Sequence, residues 1–337
     1  MRCSSGIWNC RADAKRRLFS CLALFTVLSL VACASGPRPA APLAASAASS
    51  PSSPLPQASA PAESQPDKAA EPPVVKALAR PPRIGLALGG GAARGFAHIG
   101  VIEVLEEQGI KVDLVAGTSA GSFVASLYAS GRNGKELALL AEHMDEGAIT
   151  DWTFPSRGLI RGEALARYVR EKTGGKLIEQ MRVPLGIVAT DLADGSPILF
   201  RTGDTGAAVR ASSSVPAVFE PVRIGQHEYV DGGLVAPVPV RFARQMGAEL
   251  VIAVDISEPP DGKPPGDAMR MLLQTFSIMG RSINNFELRD ADVVIRPRLE
   301  GVGSADFAAR RRSIQAGRDA ATAMLPQLRQ RMAALSR

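Results

Sequence analysis

The sequence has no cysteine beyond position 33. Its four cysteines are Cys3, Cys10, Cys21 and Cys33. All of them lie within a leading segment that has the pattern of an export signal, so the rest of the chain has no thiol for a disulfide or a cysteine metal site. This exclusion holds even in an exported protein, whose compartment would permit disulfides.

Histidine is also scarce, since the chain contains only His98, His143 and His227. None of them has the H-x-x-x-H spacing of helical metal ligands, so we expect neither a metal site nor a cofactor. His98 falls on the apolar pattern of one predicted helix and His143 on a later one, which favours core or surface roles. A serine nucleophile would therefore have few histidines available as its base.

The excess of positive charge belongs mostly to the first 32 residues. The formal net charge is +6 at pH 7, and residues 1–32 contribute +4 of it, from five basic residues and Asp13. The remainder therefore carries about +2. The basic balance is thus poor evidence for nucleic-acid binding, and we expect no nucleic-acid partner.

Residues 1–32 are predicted to be a signal peptide. Basic residues precede the apolar run LFSCLALFTVLSLVAC, which is short for a membrane span. Its end, Leu30-Val31-Ala32-Cys33, resembles a bacterial lipobox, in which the signal is cleaved before a cysteine that then carries lipid. We expect a lipid-anchored protein of the bacterial cell envelope, and Ala34 after Cys33 favours the outer membrane. A plain transmembrane anchor is the alternative, and either arrangement attaches the chain to a membrane.

Residues 33–82 are predicted to be the lipidated cysteine followed by a disordered tether. Twelve of the 25 prolines lie between Ala34 and Pro82, among alanine and serine with few large apolar side chains. Such a segment cannot bury enough surface to offset its ordering entropy. Residues 83–337 remain as a single domain that is long enough for a two-sided core.

Apolar strand patterns alternate with helical patterns through residues 83–337. Strand candidates lie in RIGLAL, VDLVA, PLGIVATDL, ELVIAVDIS and DVVIRPR. This alternation predicts an α/β domain with a mostly parallel central sheet and helices on both faces. One helical pattern, residues 269–284, is apolar nearly all round. Core packing is favoured for it, with an acyl-chain pocket or a membrane-facing flap as the alternative.

Ser119 is the candidate nucleophile. It stands in GTSAG, residues 117–121, between a predicted strand and a predicted helix. A sharp turn there would expose the hydroxyl, and the small side chains of Gly117 and Gly121 would let the flanking elements pass. A simple helix cap is the alternative role for this serine.

A glycine-rich loop, GGGAARG at residues 89–95, also connects a strand to a helix. Consecutive glycines allow backbone N–H groups to face a substrate oxygen, as an oxyanion hole requires. Arg94 could pin this loop or attract an anionic head group. A nucleotide-binding loop is the weaker alternative, because Lys and Ser or Thr do not follow Gly95.

Two aspartates are candidate bases. Asp231 ends a short strand before Gly232 and Gly233, and Asp191 ends the strand PLGIVATD. With His227, a triad of Ser119, Asp191 and His227 is possible in the order Ser, Asp, His. The segment VRIGQHEYVDGG, however, predicts a hairpin with His227 and Asp231 at opposite ends of one strand, so only one of them is expected to face Ser119.

Taken together, these segments resemble the patatin-like phospholipase family. The blocks LALGGGAARGFAHIGVIEVLEEQGI, VAGTSAGS, ATDL, SSSVPAVFEPV and YVDGGLVAPVPV occur in that family's order. The sequence departs from the family at Ala92, where many members have glycine, and at Gly233, where plant members often have alanine.

The resemblance implies a serine lipid acyl hydrolase whose substrates are membrane phospholipids or related acyl esters. Ser119 would attack the ester carbonyl, and Asp231 would take its proton and return it to the leaving alcohol. The implied oxyanion hole comprises Gly89, Gly90, Gly91 and Ala120. The implied supporting residues are Arg94, Gly95, Gly117, Gly121, Gly232 and Gly233. A catalytically silent lipid-binding or envelope-organising lipoprotein is the alternative, and the sequence leaves the oligomeric state open.

Overall fold

The computed structural model describes residues 80–153, 157–257 and 264–336. The predicted signal peptide at 1–32, the predicted lipidation site Cys33 and all but the last three residues of the predicted tether, 33–82, lie outside the described residues. Within the described ranges, no helix combines the length and hydrophobicity needed to cross a bilayer.

Among the described residues, eight strands form one sheet. The strands are β1 (Ile84–Leu88), β2 (Leu114–Thr118), β3 (Leu185–Asp191), β4 (Pro197–Phe200), β5 (Val222–Ile224), β6 (His227–Asp231), β7 (Leu250–Val254) and β8 (Val293–Ile295). Five of them run parallel in the order β3, β2, β1, β7 and β8, while β4, β5 and β6 are antiparallel to their neighbours.

Helices cover both faces of this sheet. Side chains of a strand alternate between its two faces: Leu86 and Leu88 belong to the larger apolar cluster, whereas Ala87 belongs to a second cluster with Val240 and Ala243. This confirms the predicted α/β fold with a mostly parallel central sheet. The described α-helices are α1 (Phe96–Glu107), α2 (Ala120–Ala129), α3 (Gly134–Glu142), α4 (Glu163–Lys172), α5 (Thr205–Ser212), α6 (Val240–Gln245), α7 (Ala268–Glu287) and α8 (Arg310–Leu335).

Strands β2 and β6 lie end to end along one edge of β3. Val188 pairs with both β2 and β4, and Ala189 pairs with both β4 and β6, so β4 occupies the opposite edge. On the shared edge, Thr118 at the end of β2 is opposite Val188, and Asp231 at the end of β6 is opposite Ala189. The carboxyl-terminal ends of β2 and β6 therefore meet one residue apart along β3.

Helix α7 runs over the surface, so the core packing favoured for residues 269–284 was wrong. Only Gly280, Asn284 and Glu287 of this helix are buried, whereas Met271 and Ile278 are 57% and 52% exposed. An apolar pattern that extends around a helix does not specify which of its faces other elements cover.

Helices α1 and α8 cross at two glycines. A Cβ atom added at Gly100 would lie 1.9 Å from the carbonyl oxygen of Ile314, and one added at Gly317 would lie 2.0 Å from that of Ala97. Such separations are far shorter than van der Waals contact, so the two backbones approach this closely only because neither glycine has a side chain.

We expect Gly100→Ala to lower the free energy of unfolding by about 1–3 kcal/mol through overpacking. The higher helix propensity of alanine, worth about 1 kcal/mol, offsets this only in part. Urea unfolding monitored by circular dichroism measures the change. Gly303→Ala is the matched control, because a Cβ there has no neighbour within 4 Å. A Gly100→Ala protein as stable as the parent would contradict this close approach.

Candidate active site

Ser119 occupies a tight turn between β2 and α2. Its backbone angles are φ 51° and ψ −123°, a conformation that is costly for a residue with a side chain. A Cβ atom at Gly121 would lie 2.0 Å from the carbonyl oxygen of Leu88, and one at Gly117 would lie 2.5 Å from that of Gly121. The two predicted glycines therefore allow the sharp turn that separates the Ser119 side chain from the strand.

A serine that the sequence analysis did not single out holds this turn in place. The Ser119 N–H donates to Ser212 Oγ at 2.8 Å, and Ser212 Oγ donates to the carbonyl oxygen of Val188 at 2.6 Å. Ser212 is completely buried. The only signal in the sequence was its place in the SSSVPAVFEPV block, which did not indicate a contact with Ser119.

Asp231 reaches Ser119 because their strands end at the same point. A Cβ atom at Gly232 would lie 2.2 Å from the carbonyl oxygen of Val188, so glycine is needed where the chain leaves β6. The Asp231 N–H donates to the carbonyl oxygen of Ser214 at 2.9 Å, and Thr190 Oγ1 donates to the Asp231 carbonyl oxygen at 2.8 Å. Both backbone polar groups of Asp231 are thereby fixed.

The Asp231 carboxylate is buried beside Ser119. Burial raises the pKa of Asp231 to about 6, and the hydrogen bond from the Gly233 N–H and the nearby Ser119 hydroxyl act in the opposite direction. The Gly233 N–H lies 2.6 Å from Oδ1. Asp231 is consequently a stronger base than an ordinary aspartate and lies beside the candidate nucleophile.

Asp191 and His227 form a separate pair. His227 Nδ1 lies 2.7 Å from Asp191 Oδ2, and the His227 side chain is 60% exposed. His227 is at the start of β6 and Asp231 at its end, which corresponds to about 13 Å along the strand. The predicted hairpin is therefore present, and its Asp231 end faces Ser119.

The other two histidines lie away from the Ser119 hydroxyl. His98 is completely buried, and its Nε2 lies 2.8 Å from the carbonyl oxygen of Gly89. Burial lowers the pKa of His98 to about 4, so it is neutral at pH 7 and donates to this carbonyl. His143 is exposed at the end of α3, with Nδ1 2.8 Å from the carbonyl oxygen of Leu139. His98 thus supports the glycine-rich loop from the core.

Two of the four N–H groups expected as oxyanion donors are already bonded to backbone carbonyl groups. The Gly89 N–H donates to the carbonyl oxygen of Val254 at 3.1 Å, and the Gly90 N–H donates to that of Pro237 at 2.9 Å. These two expected donors are therefore corrected, because their N–H groups hold the loop against β7 and the 237 region. Within the described residues, the N–H groups of Gly91 and Ala120 have no such backbone acceptor.

The rest of the glycine-rich loop lies against the turn at Ser119. A Cβ atom at Gly90 would lie 3.2 Å from Ser119 Cβ, and one at Gly95 would lie 2.9 Å from Ala120 Cβ. Arg94 is buried, and its Nε donates to the carbonyl oxygen of Ile256 at 2.9 Å. Arg94 therefore pins the loop, which was one of its two expected roles.

An apolar cavity begins at Ser119. It follows α2 through Phe123 to Leu127, a distance of about 12 Å along the helix. Of the twenty described residues that line it, all except Ser119 and Ser213 have side chains without an N–H or oxygen group. The cavity can therefore hold a hydrocarbon chain next to the serine. Other lining residues include Phe96, Ile99, Leu137, Leu140, Phe219 and Phe307.

The fold and the site together define an α/β domain with a serine at a strand–helix turn and a buried aspartate beside it. Residues 86–244 match the family model of patatin-like phospholipases. This part of the chain is therefore a patatin-like phospholipase domain, as its sequence blocks predicted.

Named relatives agree with this assignment. An uncharacterized NTE family protein of Mycobacterium tuberculosis is 38% identical over 190 residues, which cover 56% of this chain and 52% of the relative. Patatin-like phospholipase domain-containing protein 6 of Mus musculus is 36% identical over 181 residues, which cover 51% of this chain and 13% of that protein. The chain thus spans about half the length of the mycobacterial relative.

A solved structure shares the fold. VipD from Legionella pneumophila superposes with a TM-score of 0.51 at 16% identity, over 74% of this chain and 67% of that one. The low identity limits this likeness to the fold.

Burial of Asp231 predicts a pH-dependent stability difference. Because the folded-state pKa of Asp231 is raised from 3.8 to about 6, its ionised form costs stability above pH 6 and not below pH 4. At pH 8 we expect the free energy of unfolding of Asp231→Asn to be about 1–3 kcal/mol higher than that of the parent. This difference should shrink as the pH falls through 6 towards 4.

Urea unfolding between pH 4 and pH 8 measures this difference. Asp319→Asn, on the exposed face of α8, is the control and should stay within about 0.5 kcal/mol of the parent throughout. A gain for Asp231→Asn that was absent at pH 8, or equal at all pH values, would contradict the raised pKa.

Proposed function

We propose that this protein is a serine hydrolase that cleaves carboxylic esters of membrane phospholipids or related acyl lipids. The observation that carries the proposal is the placement of the buried Asp231 carboxylate beside Ser119, which itself lines an apolar cavity. A nucleophile, a base and space for an acyl chain are then present in one place.

In the first half of the reaction, Ser119 Oγ attacks the carbonyl carbon of the ester while its proton moves to Asp231. The negative charge that develops on the carbonyl oxygen is stabilised by the N–H groups of Gly91 and Ala120. The ester C–O bond then breaks, and Asp231 returns the proton to the oxygen of the departing alcohol. The acyl group remains attached to Ser119.

In the second half, water attacks the acyl-Ser119 carbonyl and transfers a proton to Asp231. The bond between the acyl carbon and Ser119 Oγ breaks, and Asp231 returns the proton to this oxygen as the fatty acid leaves. With its pKa near 6, Asp231 is largely ionised at pH 7 but closer in basicity to a histidine than an ordinary aspartate is. Burial therefore compensates in part for the absence of an imidazole.

The test must distinguish a hydrolase from the alternative, a catalytically silent lipid-binding protein. We expect Ser119→Ala and Asp231→Asn each to lower kcat/KM on a short soluble ester by at least about a thousandfold, and the double variant to be little worse than either, because the two residues act as a unit. The measurement uses p-nitrophenyl butyrate, with product analysis from a defined phospholipid.

His227→Ala is the matched control, because His227 shares β6 with Asp231 but lies at its other end. It should keep most of the activity. An inactive but folded His227→Ala protein would contradict the Ser–Asp assignment in favour of a triad. A parent protein with no esterase activity, and no labelling of Ser119 by a fluorophosphonate, would support the silent alternative.

We further propose that the protein is a lipoprotein anchored to the cell envelope through Cys33. The support is the sequence Leu30-Val31-Ala32-Cys33 after a basic and then apolar segment. Anchoring would hold the hydrolase domain close to lipid substrates, because residues 34–82 would act as a tether.

Cys33→Ser is expected to abolish the incorporation of a fatty acid during metabolic labelling and to leave an unprocessed form, since Cys33 is the cysteine that follows the lipobox residues. Cys21→Ser removes a thiol from the same apolar run and should be labelled as the parent is. Equal labelling of Cys33→Ser and the parent would refute the lipoprotein proposal.

A further inference from the structure

Helix α7 has an exposed apolar stripe that no described element covers. Its residues are 37–65% exposed. At 3.6 residues per turn they fall within a sector of about 120°, and the stripe extends about 22 Å along the helix. We call this surface the α7 stripe, which comprises Met271, Leu272, Ile278, Met279 and Phe286.

Arginines flank the α7 stripe. Arg270 and Arg281 project from α7 on one side of the stripe, about a quarter turn from Met271. The guanidinium of Arg289, just after the helix, lies 5.0 Å from the centre of the Phe286 ring. The exposed length of α7 therefore combines apolar side chains with positive charge along its border.

The exposed face of α7 itself has no carboxylate between Ala268 and Phe286. The one acidic residue within α7 is Glu287, which is buried and forms an ion pair with Arg241. Asp267 caps the start of the helix and lies 3.4 Å from Arg270. Among the described residues, Arg281 forms no ion pair within 4.0 Å, so its charge is available to an external anion.

The inner face of α7 is attached to the loop that follows Asp231. Asn284 Oδ1 accepts a hydrogen bond from the Val238 N–H at 3.1 Å, and a Cβ atom at Gly280 would lie 3.4 Å from the Pro237 ring. The carbonyl oxygen of Pro237 accepts the hydrogen bond of the Gly90 N–H. Helix α7, which carries the α7 stripe, is thus linked to the loops around Ser119 by one hydrogen bond and one close approach.

We propose that the α7 stripe docks on the surface of an anionic lipid bilayer. A helix with this pattern lies in the plane of the interface, with its apolar side chains at the acyl boundary and its arginines at the phosphate groups. Docking gives the proposed hydrolase access to ester bonds at the bilayer surface. This purpose rests on the proposed function, whereas the docking itself does not.

A second copy of the chain fits the α7 stripe less well. Twofold pairing of two α7 helices would bring their arginine borders together, and the carboxylate at the start of each helix, Asp267, is already paired with Arg270 of its own helix. Anionic head groups supply the missing negative charge. Charge complementarity therefore favours a bilayer over a dimer.

Hydrogen exchange measured by mass spectrometry tests the docking on the full chain, with and without vesicles of phosphatidylcholine and phosphatidylglycerol. We expect amides of residues 268–287 to exchange at least roughly tenfold more slowly on the vesicles. The readout is local, so attachment of the chain through its N-terminal segment does not substitute for it.

Two sets of variants define the surface. Combined Met271→Ser, Ile278→Ser and Met279→Ser should abolish the protection, whereas Leu139→Ser, which removes a 59% exposed leucine from α3, should not. Combined Arg270→Gln and Arg281→Gln should abolish the advantage of anionic vesicles over pure phosphatidylcholine, whereas Arg311→Gln, on α8, should not.

Three outcomes would overturn the proposal. They are unchanged exchange in residues 268–287 on anionic vesicles, protection that survives the triple serine variant, and protection that appears without vesicles and rises with protein concentration, which would identify a second copy as the occupant. Hydrolysis of p-nitrophenyl butyrate, measured in parallel, separates this test from that of the proposed function. Protection without esterase activity retains the docking and refutes the hydrolase, and activity without protection does the reverse.

Discussion

The placement of Asp231 beside Ser119 depends on two strands that end one residue apart along β3. Neither residue is near the other in sequence, and each reaches its position only through the register of its strand. A slip of one residue between β6 and β3 would turn the Asp231 side chain to the opposite face of the sheet. The hydrogen bonds from Asp231 N–H to Ser214 and from Thr190 to the Asp231 carbonyl oppose such a slip.

The site contains two features that cost stability. Ser119 has a positive φ of 51°. The Asp231 carboxylate is buried, and no cation offsets the resulting rise in its pKa. Such costs persist only where the surrounding structure holds them in place. Here the buried hydroxyl of Ser212 holds the Ser119 backbone, and the close packing around Gly121 and Gly232 leaves the chain no room to relax. The strained Ser119 backbone and the buried Asp231 carboxylate thus lower the stability of the domain while they keep a nucleophile and a base close together.

Apolar residues serve three separate purposes in this domain. The strands and the inner faces of their helices form the core, buried residues of α2 and its neighbours also line a cavity at Ser119, and α7 presents its apolar side chains outward. Hydrophobicity alone does not distinguish these purposes, since all three segments are rich in the same residue types. Their roles differ because of what packs against each one.

The sequence by itself determined the alternation of strands and helices and the strand–helix turn at Ser119 between two glycines. Each of these depends on neighbouring residues, through side-chain periodicity and the absence of a Cβ atom. The tertiary structure decided that Asp231 rather than Asp191 lies beside Ser119, that Gly89 and Gly90 bond to Val254 and Pro237, that Ser212 holds the turn, and that α7 is exposed. These outcomes depend on strand register and on contacts between segments far apart in the chain, which a local pattern of residues does not encode.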